Sequence, residues 1–475
     1  MSDQLNQTQK KKEKTQTITS VTRDTATMLY LNRTLRSRRR RFDYTWIFVV
    51  MTSFFLLCSV FSIMFRSFNK NAPSRKYSHL IDWDGRIYVA PKNKTNFSRK
   101  SFYQYSSPRS NMCFFSSFLE EEGMPKLHSA FVDPVSHNVV FIGTRLLEDN
   151  WTRETFVTHF ESGERRLCDP IVEDYFSFGY ISQFNIVLTC PLPSSLHHSL
   201  KFTLSLQRMS NVKKYRRYAY DNLTICQSGS SNFQRYHLSA CTMVRNMDHY
   251  LPEWIAIHRY VGVQHFFLYD NEPEETSKLR QTVRREIAEG VVTVIPWTHI
   301  ALGEKTYLEV QIAHENDCLW RNRYRTKWMI KIDVDEFVQP MNESKRKITD
   351  YLEGPNFETM GAARLQNWFF GRHSADKSAM ATNGSIIERN IWRPSYPSPQ
   401  NCGRDKNIIQ PKHVHYFKIH AIKVGGEAIS LNPYSELRLV HYRQDNSRVR
   451  HFDLPPFTHQ DYSMVKLIRE AKKAQ

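Results

Sequence analysis

The feature that most constrains this chain is an uncharged stretch, residues 44–65, that follows a run of arginines directly. As an α-helix these residues span about 33 Å, enough to cross the hydrocarbon core of a bilayer. A cleaved signal peptide has an apolar core of about 7–15 residues close to the N-terminus, so this segment is too long and too deep in the chain. The sequence therefore predicts a single N-terminal transmembrane helix over residues 44–65.

The distribution of positive charge predicts the orientation of this anchor. The 475 residues carry a formal net charge of +19, and residues 1–43 hold 11 Lys and Arg against 4 Asp and Glu. Because positively charged flanks stay in the cytosol, we expect residues 1–43 to form a cytosolic basic tail and residues 66–475 to lie in the lumen. The basic run is then a topology signal, and we expect no nucleic-acid partner.

Glycosylation sequons and cysteines agree with a lumenal location. Six Asn-x-Ser/Thr sequons follow the predicted span, at Asn93, Asn96, Asn150, Asn222, Asn342 and Asn383. Seven cysteines also follow it, and an oxidising compartment would permit up to three disulfides and leave one thiol. The sequence does not choose between the possible pairings, and buried free thiols are the alternative.

Composition divides the lumenal part into three segments. Residues 66–110 are polar and rich in Lys, Arg, Ser and Asn, so we expect an exposed stem. Residues 111–235 contain short β-rich runs separated by turn residues, which predicts a small β-rich module. The clearest runs are residues 138–142, 180–189 and 201–206. In residues 236–475 strand and helix patterns alternate, which marks this segment as a separate α/β domain.

The alternating segment predicts an α/β fold with a mainly parallel sheet and helices on both faces. We expect strands over residues 238–244, 263–269, 291–295 and 328–332, with a long helix over roughly residues 305–324. In the first helix the buried positions, at Leu251, Trp254, Ile255 and His258, recur at helical spacing. Ligands of such sheets bind at the carboxyl ends of the strands.

Two aspartates, Asp333 and Asp335, follow the last of these strands. Strand alternation points both carboxylates the same way and turns Val334 into the core. Paired carboxylates with open coordination positions suit Mg²⁺ or Mn²⁺, which prefer oxygen ligands and also accept phosphate oxygens. The location at a strand end favours a metal site over two solvated turn residues.

Other catalytic motifs do not occur in the sequence. There is no Gly-x-Gly-x-x-Gly or Gly-x-x-x-x-Gly-Lys loop and no Gly-x-Ser-x-Gly elbow. His314-Glu315 is followed by Cys318, so the second histidine of a metalloprotease is missing. A cluster of histidines near the C-terminus could supply one nitrogen ligand: His413, His415, His420 and His441.

Three blocks within residues 239–340 carry a resemblance by their order and spacing: Tyr250-Leu251-x-Glu253-Trp254-Ile255 with His258, Gly262-Val263-x-His265-Phe266 and Leu268-Tyr269-Asp270-Asn271; Gln311, Ala313, Asp317-Cys318 and Arg321; and Asp333-Val334-Asp335-Glu336-Phe337. In these blocks the chain resembles glycosyltransferase family 92. Weaker echoes follow at Trp368 with Phe370-Gly371, Lys406 with Pro411, and Leu439-Val440-His441-Tyr442. The chain departs from the family at Asn246-Met247, where Asn-Glu is usual.

The resemblance implies a GT-A-like nucleotide-sugar transferase domain in a type II Golgi membrane protein. It implies transfer of galactose from UDP-galactose to a glycan or glycoprotein acceptor, with inversion, a β-linkage and help from Mn²⁺ (or Mg²⁺). Carried over by position, the residues that contact the donor are Val244, Arg245, Asp270 and Asp333. The metal ligands are Asp333, Asp335 and His441, with His420 as the competing choice.

Inversion requires a carboxylate that removes the proton of the acceptor hydroxyl. Glu388 is our candidate for this base, and Glu436 and Asp376 are the rivals. A different class of function is a non-catalytic glycan-binding membrane protein on the same scaffold. Met247 motivates that alternative, and the intact pair of Asp333 and Asp335 argues against it.

Overall fold

The computed structural model describes residues 80–81, 87–88, 119–121, 123–146, 155–172, 183–209, 218–226, 234–299, 304–373, 385–400, 403–442 and 456–474. The predicted transmembrane segment, 44–65, lies outside these residues, as do most of the stem and Asp376. Within the described ranges, no helix is both long and apolar enough to cross a bilayer. The chain divides into two units, Met1–Ala90 and Pro91–Gln475. In the first, β1 (Leu80–Ile81) pairs antiparallel with β2 (Ile87–Tyr88).

A seven-stranded antiparallel sheet forms the first part of the second unit. Its strands are β3 (Lys126–Asp133), β4 (Asn138–Leu146), β5 (Thr155–Phe160), β6 (Arg165–Val172), β7 (Gln183–Pro191), β8 (Lys201–Met209) and β9 (Tyr218–Cys226). They lie in the order β3-β4-β7-β6-β5-β8-β9. Apolar residues alternate along β5 and β8, as one buried face requires. The three β-rich runs in the sequence correspond to β4, β7 and β8.

Disulfides occur in this sheet and beyond it. Cys168 of β6 is bonded to Cys190 of β7, and Cys226 is disulfide-bonded as well. Cys241 is bonded to Cys318, across 77 residues of sequence. Asn222 and Asn342, the two sequon asparagines in the described ranges, are both exposed.

The second part of this unit is built from alternating strands and helices. Its first elements are β10 (Tyr236–Val244), α1 (Leu251–Tyr260), β11 (His265–Asp270), α2 (Leu279–Thr282), α3 (Arg284–Ala288), β12 (Val292–Pro296), α4 (Glu304–Arg321), β13 (Thr326–Lys331) and β14 (Glu336–Pro340). The remaining elements are β15 (Ala362–Leu365), β16 (Asn367–Phe370), α5 (Ile386–Arg389), β17 (Trp392–Arg393), β18 (Lys406–Ile409), β19 (Val414–Lys418), β20 (Ala421–Gly425), β21 (Ala428–Ser430), β22 (Leu437–Tyr442), β23 (His459–Gln460) and α6 (Ser463–Lys473).

These elements confirm the predicted α/β fold. The main sheet has the order β12-β11-β10-β13-β18-β15-β21, with β10 to β13 parallel and β18 antiparallel to β13. All residues of β11 are buried, because helices cover both faces of a parallel sheet. The four predicted strands and the helix periodicity of α1 are confirmed. The antiparallel β18, which makes the sheet mixed, was not predicted.

A small second sheet, in the order β14-β22-β16, extends from the main one. β14 pairs antiparallel with β22, and Glu336 lies opposite His441. β16 pairs parallel with β22, and Phe369 lies opposite His441. Residues more than 100 positions apart in sequence therefore meet immediately after the predicted Asp-x-Asp.

Helix α4 packs between the β-rich module and the main sheet. One hydrophobic cluster combines Phe131, Val140 and Val187 of the module with Ala313 of α4 and Tyr416 of β19. A buried ion pair on α4 joins the Arg321 Nε to Asp317 Oδ2 at 2.8 Å, and Arg321 Nη2 donates to the Ser129 hydroxyl at 2.7 Å. The module and the α/β part thus share a core in this structure.

His258 on α1 is held in one neutral form. Its Nδ1 donates to the Trp254 carbonyl at 2.8 Å, and its Nε2 accepts from the Val338 backbone N–H at 3.2 Å. Burial lowers the pKa of His258 to about 4, although the bond to Trp254 opposes the shift. A proton on Nε2 would break the bond that links α1 to β14.

Acidification is therefore expected to destabilise the protein through His258. The unfolded imidazole binds a proton below pH 6.5 and the folded one only near pH 4, so stability present above pH 6.5 is lost as the pH falls. At pH 5 this histidine alone accounts for about 2 kcal/mol. Urea unfolding at pH 7 and pH 5 should show a smaller pH effect in His258→Gln than in the parent. The exposed His249→Gln is the control, and equal pH effects in both variants would contradict the assignment.

Candidate active site

The candidate site lies where the parallel strands end. Val244 at the end of β10 pairs with Asp270 at the end of β11, and Asp333 follows β13 by two residues. The chain proceeds from β10 to β11 and β12 on one side of the sheet, whereas β13 lies on the other side of β10. The order of strands therefore reverses between β10 and β13, and ligands of open α/β sheets bind at such a switch point.

Asp333 is fixed at this edge by several hydrogen bonds. Its Oδ2 lies 2.8 Å from Lys406 Nζ, its Oδ1 accepts from Gln311 Nε2 at 3.3 Å, and its backbone N–H donates to the Glu336 carboxylate at 2.8 Å. The Asp333 side chain remains 43% exposed. Burial raises the pKa of Asp333, but the attraction of Lys406 outweighs it and the net shift is downward. Asp333 is therefore an ionised carboxylate with one face open.

Lys406, the first residue of β18, is the cation of the site. Its side chain is 3% exposed, and its Nζ lies 2.8 Å from Asp333 Oδ2 and 3.3 Å from Glu336 Oε2. Burial lowers the pKa of Lys406, but the two carboxylates raise it more, so the net shift is upward. A lysine is retained in a buried position as a charge when it is paired in this way.

Asp335 and His441 face each other beside this group. His441 Nε2 lies 3.7 Å from Asp335 Oδ2, and His441 Nδ1 lies 3.4 Å from Glu336 Oε1. The Tyr442 N–H donates to the Asp335 carbonyl at 2.9 Å, which fixes β22 against the loop. Burial lowers the pKa of His441, but Glu336 and Asp335 raise it more, so the net shift is upward. Among the described residues, His441 Nδ1 has no hydrogen-bond partner.

The donor residues predicted on the first two strands lie at the same edge. Val244 is buried, and the half-buried Arg245 follows it. The Asp270 carboxylate accepts from the Ser277 hydroxyl at 2.7 Å and from the Glu272 N–H at 3.3 Å. Burial raises the pKa of Asp270, against the effect of these bonds. The Asp270 side chain thus serves to hold the loop after β11.

The Asn246-Met247 departure also lies at this edge. Asn246 has φ +55°, a left-handed conformation that asparagine tolerates better than most residues, and its N–H donates to the Glu272 carboxylate. Met247 is partly buried and packs against the hydrophobic core of the main sheet. The position that is usually a glutamate in the family is therefore a packing residue here.

One ring nitrogen of His420, the competing ligand, is bonded to the backbone. Its Nδ1 donates to the Asp405 carbonyl at 2.9 Å, and the Asn407 side chain donates to the His420 carbonyl at 2.8 Å. Burial lowers the pKa of His420 to about 3. This neutral histidine helps to fix the start of β18, where Lys406 lies.

Two of the candidate bases, Glu388 and Glu436, lie outside the group formed by Asp335 and its neighbours. Glu388 is exposed on α5 and lines a groove together with Tyr462, Lys466, Arg469 and Lys473 of the C-terminal segment. Glu436 precedes β22 at the end opposite His441, about 16 Å away at the usual rise of a strand. Its carboxylate accepts from the Asn432 N–H at 2.7 Å. The structure does not bring either carboxylate into the group around Asp335.

The donor set suits a divalent cation that is shared with a phosphate ligand. Within the described ranges, no group of three or more His, Cys, Asp and Glu side chains is arranged around an ion position. Asp335 and His441 supply one carboxylate and one imidazole, and Asp333 adds an oxygen that Lys406 already binds. Mg²⁺-type ions commonly take one or two carboxylates and complete their shell with water and substrate phosphates. The residues therefore fit such an ion with an open coordination shell.

Three residues of this group were not assigned a role from the sequence: Lys406, Glu336 and Gln311. Each was visible only as part of the family resemblance: Lys406 among the weaker echoes, Glu336 in the third block and Gln311 in the second. Lys406 is 73 residues from Asp333, and Gln311 is 22 residues from it. No local period connects such positions, so only the resemblance could have pointed to them.

The part of the chain that contains this sheet edge matches a known protein family. Residues 236–470 match the model of glycosyltransferase family 92, beginning at the first residue of β10. A family 92 protein of Ricinus communis is 34% identical over 108 residues, which are 22% of this chain and 17% of that protein. Galactan beta-1,4-galactosyltransferase GALS3 of Arabidopsis thaliana is 28% identical over 214 residues, 42% of this chain and 39% of that protein.

An animal relative aligns over more of the chain. Beta-1,4-galactosyltransferase galt-1 of Caenorhabditis elegans is 22% identical over 345 residues, 68% of this chain and 77% of that protein. The two plant alignments, in contrast, each span less than half of the relative's length. The residues that match the family model, 236–470, include Asp333, Asp335 and His441.

Proposed function

Since residues 236–470 form a glycosyltransferase family 92 domain, we propose that this protein is an inverting, metal-dependent galactosyltransferase. It transfers galactose from UDP-galactose to a glycan acceptor in a β-linkage. The observation that carries the proposal is the pairing of Asp335 with His441, 3.7 Å apart, at the switch point of the parallel strands. The names of relatives GALS3 and galt-1 support galactose as the transferred sugar.

The residues of this edge have distinct tasks in that reaction. Asp335 and His441 would hold Mn²⁺ or Mg²⁺, and the ion would neutralise charge on the diphosphate leaving group. Val244, Arg245 and Asp270 lie at the ends of β10 and β11, where the nucleoside part of the donor would bind. Asp333, whose oxygens are held by Gln311 and Lys406, would contribute its exposed face to the donor.

Inversion follows from one displacement. The acceptor oxygen forms a bond to the anomeric carbon while the bond from that carbon to the diphosphate breaks on the opposite face. UDP leaves, and a carboxylate accepts the proton of the acceptor hydroxyl. We propose Glu388 for this task, because it is exposed and lines an open groove. The role requires the transferred sugar to reach that groove from the group around Asp335.

Replacement of Glu388 by glutamine is expected to reduce turnover by about 100-fold or more, because the amide cannot accept the proton. UDP affinity should not change. Steady-state kinetics with UDP-galactose and calorimetry with UDP measure the two effects. Glu275→Gln, an exposed glutamate in the loop after β11, is the control for loss of one surface charge. Turnover close to that of the parent would exclude Glu388 as the base.

We further propose a type II Golgi protein, anchored by residues 44–65 with the transferase domain in the lumen. The uncharged segment after the arginine run and the exposed sequon residues Asn222 and Asn342 support this arrangement. Glycosidase treatment of the expressed chain tests it directly. A mass shift that is smaller by one glycan in Asn342→Gln is expected, and the absence of any N-glycan would argue against a lumenal domain.

A donor screen tests the proposed activity. The full chain in detergent, with a panel of β-linked oligosaccharide acceptors and Mn²⁺, is expected to consume UDP-galactose in preference to UDP-glucose and UDP-N-acetylhexosamines. Addition of EDTA should abolish turnover, and excess Mn²⁺ should restore it. No turnover of any nucleotide sugar, together with retained binding to a glycan array, would favour the non-catalytic alternative that Met247 motivates.

A further inference from the structure

Lys406 lies beside two of the three acids of the site, Asp333 and Glu336. Its Nζ is 2.8 Å from Asp333 and 3.3 Å from Glu336, and Glu336 is in turn 3.4 Å from His441, the partner of Asp335. The side chains of Lys406 and Glu336 are 3% and 1% exposed. Both Asp333 oxygens have partners, since Gln311 donates to Oδ1 while Lys406 binds Oδ2. The ammonium thus occupies a cation position between two of the three acids.

The charges around Lys406 decide how strongly the site attracts a further cation. Asp333, Asp335 and Glu336 together carry three negative charges when ionised, and Lys406 cancels one. The next charged residues, Lys331 and Glu315, balance each other: the Lys331 ammonium donates to the Glu315 carbonyl, and the Glu315 carboxylate accepts from the Ile419 N–H. A fixed ammonium close to a divalent ion repels it, most strongly where little water is present.

We propose that Lys406 is a positioning residue that occupies the cation position between Asp333 and Glu336 and confines divalent-metal binding to Asp335 and His441. Two protein ligands beside a fixed positive charge bind an ion weakly. Tight binding then requires the negative charge of a nucleoside diphosphate, so the metal enters with the donor. This last step rests on the proposed function, whereas the effect of Lys406 on the metal does not.

Mn²⁺ binding to the full chain in detergent tests the proposal without any measurement of transfer. Free Mn²⁺ is counted by electron paramagnetic resonance, with and without UDP. Lys406→Met is expected to bind Mn²⁺ about fivefold tighter or more without UDP, because the repulsion is removed and Asp333 is released. The enhancement by UDP should shrink accordingly. Lys406→Arg, which keeps the charge, should resemble the parent, as should the exposed Lys412→Met.

A second variant allows the proposal to be tested if Lys406→Met alone does not fold. Lys406→Met with Glu336→Gln removes a buried acid together with the lysine, so it leaves no additional buried charge. Because it frees the Asp333 oxygen that Lys406 binds, it also should bind Mn²⁺ more tightly than the parent. Folding of each variant is checked by circular dichroism and thermal melting. Folded variants that bind Mn²⁺ no tighter than the parent, or not at all, would overturn the proposal.

The effect of Lys406 on metal affinity and the entry of the metal with the nucleotide donor can be tested separately. If UDP leaves Mn²⁺ binding to the parent unchanged while Lys406→Met binds more tightly, the role of Lys406 stands and the entry of metal with a nucleotide donor is wrong. If UDP enhances binding equally in the parent and in Lys406→Met, Lys406 does not set that dependence. A purely structural lysine would lower stability in both variants without a gain in metal affinity.

Discussion

Replacement of Asp335 by alanine is expected to reduce the proposed galactosyl transfer by about 100- to 1000-fold, the range found when one preorganised electrostatic group is removed from a transition state. The reason is that Asp335 is the buried carboxylate that faces His441 Nε2, and without it the proposed metal ion would keep one protein ligand. Initial rates with UDP-galactose and saturating Mn²⁺ measure the effect.

Stability should not fall in the same variant. Asp335 is close to Glu336. Burial, together with the negative charges of Asp333 and Asp335, raises the pKa of Glu336 more than Lys406 lowers it. Removal of Asp335 relieves this repulsion, and His441 keeps Glu336 as a partner at 3.4 Å. The melting temperature should therefore stay within about 2 °C of the parent. Glu358→Ala, an exposed glutamate of the same domain, is the control for loss of one carboxylate. Transfer within threefold of the parent would show that Asp335 does not serve the reaction.

Replacement of Arg321 by methionine is expected to lower the free energy of unfolding by about 3–5 kcal/mol, because Asp317 would remain as an unpaired buried charge. Both side chains are almost fully buried, at 1% and 0% exposure, and the Tyr269 hydroxyl donates to the same carboxylate at 2.6 Å. Arg321 also lies over the Phe131 ring, 4.1 Å from its centroid. A decrease of roughly 10 °C in melting temperature follows for a domain of this size.

Two further variants separate charge from packing. Asp317→Asn combined with Arg321→Met is neutral and keeps an acceptor for Tyr269, so it should recover most of the loss. Arg285→Met is the matched control, since Arg285 pairs with Glu289 at the same i,i+4 spacing but is 66% exposed. Exposed pairs contribute about 0–1 kcal/mol, so its effect should be small. Equal losses of unfolding free energy in Arg285→Met and Arg321→Met would contradict our interpretation that Asp317 is a buried charge compensated by Arg321.

Local patterns were sufficient for the individual elements of the α/β part. Strands β10 to β13 and helix α1 follow from apolar runs and helical spacing, because a strand buried on both faces and a helix with one buried face each leave a period in the sequence. Asp333 and Asp335 were placed at a strand end by the same argument. The β-rich runs similarly indicated strands β4, β7 and β8.

Contacts between distant segments were not accessible in this way. Lys406 reaches Asp333 across 73 residues, and His441 reaches Glu336 across the pairing of β14 with β22. Asp317 and Arg321 were visible only as members of a family block. In the structure Arg321 links α4 to the β-rich module, because it donates to Ser129, 192 residues away in sequence.

The sequence by itself determined the strand–helix order, the position of the Asp-x-Asp at a strand end and the family, since these depend on neighbours along the chain. It also contains the uncharged segment after the arginines, on which the predicted anchor rests. Only the tertiary structure decided that Lys406 neutralises Asp333, that His441 also lies beside Glu336 and that the β-rich module shares a core with α4. These contacts depend on how sheets pair and pack, and side-chain periodicity carries no information about which distant strands become neighbours.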